Sequence, residues 1–252
     1  LESILTRVSV VSYLNALPFL QGLADEKASS NFIITKDIPS ICAQKLINHE
    51  TDIGLIPVAM IDALSYSEII TDYCIAADGA VGSVLLVSNE PLEEITTIYK
   101  DSESRTSVFL ANILANFFWK QSFIWKEEQH NFLEPPTGSG IVIIGDRALR
   151  NRSKFKYVYD LAEEWKKFTT LPFVFACWVS NKKIAETEIQ LLNDCFREGV
   201  NSRAEIASML ESGSIEIDTL SYFTKYIKYD LTEDAKRGME LFLKYVNQLK
   251  SS

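Results

Sequence analysis

Cysteine and histidine are scarce in this chain, and neither is grouped. The 252 residues hold four cysteines and two histidines. Cys42, Cys74, Cys177 and Cys195 stand far apart without metal-type spacing, so buried free thiols are expected. His49 in "NHETD" and His130 in "EEQHNF" lie among polar residues and read as solvated loop positions. A structural zinc centre, a Ser-His-Asp triad and a Cys-His dyad therefore lack obvious parts. Positive charge is also short. There are 25 Lys and Arg against 34 Asp and Glu, a formal net charge of −9, with no basic stripe. Nucleic acid is not an expected partner. The same net charge repels an anionic ligand at long range, so such a ligand needs local donors in a pocket. No apolar run approaches the length of a membrane span, and no charged-then-apolar leader precedes "RVSVVS". No membrane is expected as a partner, and the cytoplasm is the expected location.

What is present is an ordinary globular composition, 47% hydrophobic and 23% charged, enough for one large domain or two lobes. Short apolar runs alternate with helical patterns. The strand candidates are "VSVVS" (8–12), "NFIITK" (31–36), "DIGLI" (52–56), "SVLLVS" (83–88), "TTIYK" (96–100), "GIVIIG" (140–145) and "PFVFACWVS" (172–180). Between them, "IPSICAQKLINHE" and "SRTSVFLANILANFFWK" carry apolar residues at helical spacing. This alternation predicts an α/β fold with mostly parallel sheets flanked by helices. After about residue 181 only amphipathic helices are expected, the last opened by Thr232, Glu233 and Asp234. Two βα series and a helical tail suggest two lobes. Residues 1–87 plus 175–252 form the first, and 88–174 form an inserted second. "GSVLLVS" and "PFVFACWVS" are the expected crossings, with a ligand cleft between the lobes.

In open α/β sheets, ligands sit outside the carboxyl ends of strands, beside helix N-termini. The first strand ends at Ser12, Tyr13 and Asn15, with Pro18 suited to a first helical turn. Asn15 either caps that helix or faces a ligand. Ser40 reads as an N-cap, and Pro57 and Val58 begin a helix at the same cleft. "DGAVGSV" puts Gly79, Gly82 and Ser83 at a crossing, where Ser83 serves either a turn or a ligand. "DSESRTSVFL" gathers Ser102, Ser104, Arg105, Thr106 and Ser107 before an apolar helix. Hydroxyls and unpaired amides there make either an anion site or simple caps, and Arg105 pairs with a carboxylate or with Asp101. "GIVIIGDRAL" places Gly145 and Asp146 at a strand mouth, Asp146 as cap or ligand contact, with Arg147 read as a surface residue. Trp165 and Trp178 read as core packing, and "PPTGSG" as a turn rather than a phosphate loop. The residues alone thus describe a two-lobed cleft protein for a small anion, whether receptor or enzyme.

Six stretches occur together in order: "SVVSYLNALPF", "DIGLIPVA", "ADGAVGSVLL", "DSESRTSVFL", "IVIIGDRAL" and "DLAEEWKKFTTLPFVFACW". Over residues 7 to 180 the chain resembles the menaquinone-biosynthesis family that contains chorismate dehydratase of the futalosine pathway. The resemblance implies a type-2 periplasmic-binding-protein fold used as a cytoplasmic enzyme. The implied substrate is chorismate, the product 3-[(1-carboxyvinyl)oxy]benzoate, and no metal or organic cofactor is implied. The sister family, which makes 1,4-dihydroxy-6-naphthoate, carries a His-Glu pair where this chain has Gly145-Asp146, which argues against that activity. Two positions depart from the family: Ala162 and Thr170 stand where it usually has Gly, and both read as local turn changes.

By resemblance, Asn15 and Ser83 are the expected catalytic residues. Asn15 would orient or polarise the reacting ring, and Ser83 would bond the leaving hydroxyl or a carboxylate. Ser104, Arg105, Thr106 and Ser107 would hold one carboxylate, and amides near Pro57 and Val58 the other. Tyr13, Ser40, Gly145 and Asp146 complete the expected substrate contacts. Asp146 is a candidate base by position; the substrate's own enolpyruvyl carboxylate is the other. The rival is a receptor for a carboxylate that works with a transporter.

Overall fold

Val8, Val10 and Val11 lie buried in β1 (Thr6–Val11), a central strand paired on both edges and therefore buried almost throughout. The computed structural model describes residues 5–127, 133, 135–210 and 215–251, and His130 lies outside them. After β1 come α1 (Leu17–Gly22), α2 (Glu26–Ser29), β2 (Phe32–Asp37), α3 (Pro39–Ile47), β3 (Ile53–Pro57) and β4 (Glu68–Ala77). The next group is β5 (Val84–Ser88), β6 (Thr97–Lys100), α4 (Arg105–Ile113), β7 (Ile124–Glu127), β8 (Ser139–Ile144), α5 (Gly145–Asn151), β9 (Tyr157–Asp160) and α6 (Leu161–Thr169). The chain closes with β10 (Phe173–Ser180), α7 (Glu186–Asn201), α8 (Arg203–Met209), α9 (Thr219–Ser221), β11 (Lys228–Asp230) and α10 (Glu233–Ser251).

The strands form two sheets, ordered β11-β4-β10-β3-β1-β2 and β7-β6-β8-β5-β9. Every strand expected from the sequence is present, within two residues at each end. The sheets are mixed, however, rather than mostly parallel. β1 runs parallel to β2 and β3, and β6 to β7 and β8, but β10 is antiparallel to β3 and β4, and β5 to β8 and β9. The antiparallel members are the strands next to the two sheet-to-sheet connections, where the chain enters without a crossover helix in the same sheet.

The two expected crossing strands do not themselves cross. β5 lies wholly in the second sheet and β10 wholly in the first. The chain passes between sheets at residues 78–83 and again through α6. Asp160 ties both passages together. Its carboxylate accepts from the Val81 and Gly82 amides at 3.0 and 2.6 Å, and from the Ala162 and Glu163 amides at 3.1 and 3.2 Å. Burial pushes this carboxyl up, and the four amides pull it back.

Four strands escape the sequence pattern. Thr71 and Asp72 interrupt the apolar run of β4, which is bulged against both neighbours. β7, β9 and β11 are edge strands of three or four residues with one face open. β11 also breaks the expectation that only helices follow residue 181.

The C-terminal helix closes the core. Thr232 Oγ1 accepts from the Ala235 amide at 3.2 Å as the expected cap. Phe242 of α10 meets Phe173 at 5.0 Å and Trp165 at 6.3 Å between ring centroids. Truncating a ring buried this completely costs on the order of 3–5 kcal/mol. Trp178 stacks on Phe196 at 4.4 Å, so both tryptophans are core residues as expected. All four cysteines are free and buried. His49 is exposed. No described helix is long and apolar enough to cross a membrane.

Candidate active site

Where β1 and β3 of the first sheet end, they face the turn before β5 and the start of α4 and α5 from the second. A cavity lies between them, with about 520 Å³ of empty space that includes its opening to solvent. Its apolar floor includes Val11, Leu55, Ile75 and Phe175, and its polar groups come from Tyr13, Asn15, Ser83, Ser104 and Ser107. No lining residue is charged among those described. Among the described residues, no three His, Cys, Asp or Glu side chains gather as a metal site requires.

Asn15 does not cap α1. It lies inside a 3-10 turn, Leu14–Ala16, and the N-cap of α1 is Ala16 without a side-chain bond. Pro18 occupies the first turn as expected. Freed from capping, Asn15 lines the cavity, and its Oδ1 is buried with no hydrogen-bond partner. An orphan acceptor in an apolar wall is costly unless a ligand donor meets it.

Ser83 is 1% exposed and also lines the cavity. Its Oγ accepts from the Tyr222 hydroxyl at 2.9 Å, and its carbonyl accepts from the Gly145 amide at 2.8 Å. Gly145 itself has φ +58°, a conformation that favours glycine. A Cβ placed there would come within 2.9 Å of the Tyr13 ring.

The serine-rich stretch divides. Ser104 caps α4: its Oγ accepts from the Ser107 amide at 3.3 Å and lies 3.0 Å from the Ser107 hydroxyl. Both serines line the cavity beside first-turn amides that have no intrahelical acceptor. Thr106 instead faces the other sheet, where its Oγ1 accepts from the Ala59 amide at 3.2 Å. Arg105 points away: it is exposed, and Asp101 pairs with Arg147 rather than with it. Arg147 is thus a half-buried ion-pair member, not the surface residue its neighbours suggest. Asp101 Oδ1 in turn accepts from the Glu103 amide at 2.7 Å.

Hydrogen bonds strap the two sheets together at the cavity rim. The Tyr13 hydroxyl donates to Glu103, the Leu14 amide donates to Asp146 at 3.1 Å, and Ala59 meets Thr106 as above. Burial first, then the Glu103 carboxylate, pushes the Tyr13 phenol far above its ordinary value, so it remains a donor. Asp146 neither caps α5 nor lines the cavity; the N-cap is Ile144. Burial raises its carboxyl, and the Leu14 amide and Arg150 oppose that rise. Ser40 sits within α3, whose N-cap is Ile38, because Pro39 fits the first turn and starts the helix earlier. It does not line the cavity, although Pro39 does. Pro57 lines it too, while Val58 is buried behind it and begins a 3-10 turn, Val58–Ala63.

Sequence reasoning passed over Glu103, Tyr222 and Tyr229. Tyr229 donates its hydroxyl to the Asn15 carbonyl at 3.0 Å. The signal was faint: "SYFTKYIKYD" packs aromatics and an apolar alternation into a stretch read as helix.

A protein-family profile described as menaquinone biosynthesis matches residues 6–248. A chorismate dehydratase of Thermus thermophilus is 26% identical over 220 residues, 78% of this chain and 74% of that protein. Among solved structures, an Archaeoglobus fulgidus protein aligns over all of both chains with a TM-score of 0.76 at 12% identity. A Candida albicans protein described as having the generic periplasmic-binding-protein fold covers 97% of this chain and 95% of its own, with a TM-score of 0.54 at 11% identity. These structures share the fold alone, a two-sheet α/β periplasmic-binding-protein-like architecture. With nearly its whole length matched by the family profile, the chain belongs to the menaquinone-biosynthesis family.

Proposed function

We propose that this protein is a chorismate dehydratase, a hydro-lyase of menaquinone biosynthesis acting in the cytoplasm on chorismate. The observation that carries the reading is the cavity itself: uncharged among the described residues, mostly apolar, with an orphan Asn15 Oδ1 and the Ser83 hydroxyl on its wall. The family membership and the Thermus thermophilus relative support the same reaction. The two sheets would be the cores of two lobes that close on the substrate, with residues 78–83 as one connection.

Losing the ring hydroxyl and the proton on the ether-bearing carbon makes the chorismate ring aromatic. The base takes the proton from the ether-bearing carbon, the C–H electron pair becomes a ring double bond, and the adjacent C–O bond breaks; the departing hydroxide takes up that proton and leaves as water. Aromatisation supplies the driving force, so the protein must hold geometry and place a donor and an acceptor. In this reading Asn15 meets the reacting ring and Ser83 donates to the departing hydroxyl. Ser104, Ser107 and the first-turn amides of α4 hold one carboxylate without a cation. Asp146 is committed to Leu14 and stands outside the wall, so the substrate's enolpyruvyl carboxylate is the better candidate base. The sister reaction would need a His at position 145, where any Cβ comes within 2.9 Å of the Tyr13 ring and forces it to shift.

The test is to incubate the purified protein with chorismate in chelator-treated buffer and follow absorbance and product mass. The reading expects the carboxyvinyloxy-benzoate, one water lighter than chorismate. Folded protein that protects against heat with chorismate yet leaves it unchanged would favour the receptor reading instead.

A further inference from the structure

The C-terminal segment supplies none of the site residues expected from the sequence, yet it delivers two buried phenols to the two polar centres of the cavity. Tyr222 donates to Ser83 Oγ at 2.9 Å, and Tyr229 donates to the Asn15 carbonyl at 3.0 Å. Both rings are at most 2% exposed. Tyr222 opens a π-helical turn, Tyr222–Tyr226. Such turns are rare and concentrate at functional positions.

We propose that Tyr222 is a positioning residue that fixes Ser83 as a hydrogen-bond donor toward the reacting ring. This rests on the dehydratase reading and deepens it. A serine hydroxyl has one hydrogen and two lone pairs, and its rotor is otherwise free. A phenol is the more acidic partner and the poorer acceptor, so the shared hydrogen lies on Tyr222. Ser83 Oγ then spends a lone pair on Tyr222, and its own hydrogen must go elsewhere. The open direction is the cavity that Ser83 lines. A departing hydroxide needs a donor, so this polarity is the one the elimination requires. Burial outweighs the opposing Ser83 hydrogen bond and, with the charges of Asp146 and Asp160 adding, holds the Tyr222 phenol far above its ordinary range. Tyr222 therefore keeps its proton, and Ser83 keeps its orientation, at any working pH. The Gly145 amide, bonded to the Ser83 carbonyl, pins the backbone beneath it.

The experiment is a double-mutant cycle with Tyr222→Phe and Ser83→Ala, read in chorismate turnover and in Tm. Tyr222→Phe keeps the ring and frees the Ser83 rotor, so kcat falls about 10-fold with KM within about 2-fold, part of the usual loss for a preorganised donor. In the Ser83→Ala background the same change costs less than about 2-fold, because its only route of action is gone. Ser83→Ala alone strands a buried phenolic hydroxyl, so the double variant melts above Ser83→Ala. Wild-type kinetics in Tyr222→Phe would overturn the inference while leaving the dehydratase reading standing. So would an equal loss in both backgrounds, which marks a merely structural residue. A double variant that melts below Ser83→Ala would refute it even if Tyr222→Phe alone folds poorly. No turnover by the wild-type protein would remove the reading and the inference together.

Discussion

Gly145→Ala tests how tightly the cavity wall is built. Two penalties meet at this position. The backbone has φ +58°, and an L residue with a Cβ in the left-handed region costs about 1–2 kcal/mol. The new Cβ would also lie 2.9 Å from Cδ2 and Cε2 of Tyr13, well inside the ~3.5–4.0 Å of an ordinary carbon contact. The ring must move by several tenths of an ångström or more, and its hydroxyl then leaves Glu103. A lost bond to a charged acceptor adds about 1.5–3 kcal/mol. The combined loss, roughly 2.5–5 kcal/mol, corresponds to a Tm drop of roughly 5–20 °C for a chain of this size. Because Tyr13 lines the cavity, kcat/KM for chorismate falls at least about 10-fold as well. The assay is thermal unfolding with steady-state kinetics, for Gly145→Ala alone and in a Tyr13→Ala background. There the clash is absent and only the backbone share of the Tm loss should remain. Unchanged Tm and kcat/KM, or an equal Tm loss in both backgrounds, would refute the reasoning.

Other expectations follow from single contacts. Thr170 closes α6 at φ +63° with an exposed side chain, so Thr170→Gly relieves strain, stabilises the fold by up to about 1 kcal/mol once the floppier unfolded chain is counted, and raises Tm; a lower Tm would contradict this. Asp146 has its carboxyl raised in the folded protein, so its ionised form opposes folding. Any stability it gives is present below its unfolded value near pH 4 and lost as pH rises through the folded value. Asp146→Asn, which keeps an acceptor for Leu14, should therefore melt with wild type below about pH 4 and above it at pH 7–8. It should also retain turnover, and a loss of 100-fold or more would restore Asp146 as the base. Because the described residues of the cavity wall include no cation and the chain is net −9, kcat/KM should rise modestly between low salt and about 0.15 M, where screening shortens repulsion to ~8 Å. A steep fall with salt would point to a cationic site that the reading omits.

Much of the fold was legible because buried strands are nearly continuous apolar runs. Val8 to Val11, Ile141 to Ile144 and Phe173 to Ser180 carry that signal locally. Mixed strand direction was not legible, since pairing direction depends on where the chain re-enters a sheet, not on composition. The edge strands β7, β9 and β11 were missed because three or four residues with one wet face leave no period to read. In the site, Asn15 follows a strand, Ser83 precedes one, and Ser104 and Ser107 stand at a helix start, a local pattern, and all four reached the cavity wall. Arg105 and Thr106 share that pattern but sit on other faces of α4, and one residue of helix turns a side chain by about 100°. Asp101 chose Arg147, 46 residues away, over Arg105 nearby, and Tyr222 reaches Ser83 across 139 residues. Contacts of that range are set by packing and leave no trace in spacing.

The most direct measurement separates binding from chemistry at Asn15. Wild type and Asn15→Ala are compared for heat protection by chorismate and for turnover at saturating substrate. If the reaction occurs in this cavity, the variant still folds and binds chorismate, while kcat falls at least about 100-fold, the usual size of a lost preorganised contact in the transition state. A kcat near that of wild type would contradict the account, because the orphan Oδ1 on the cavity wall would then have no part in the elimination.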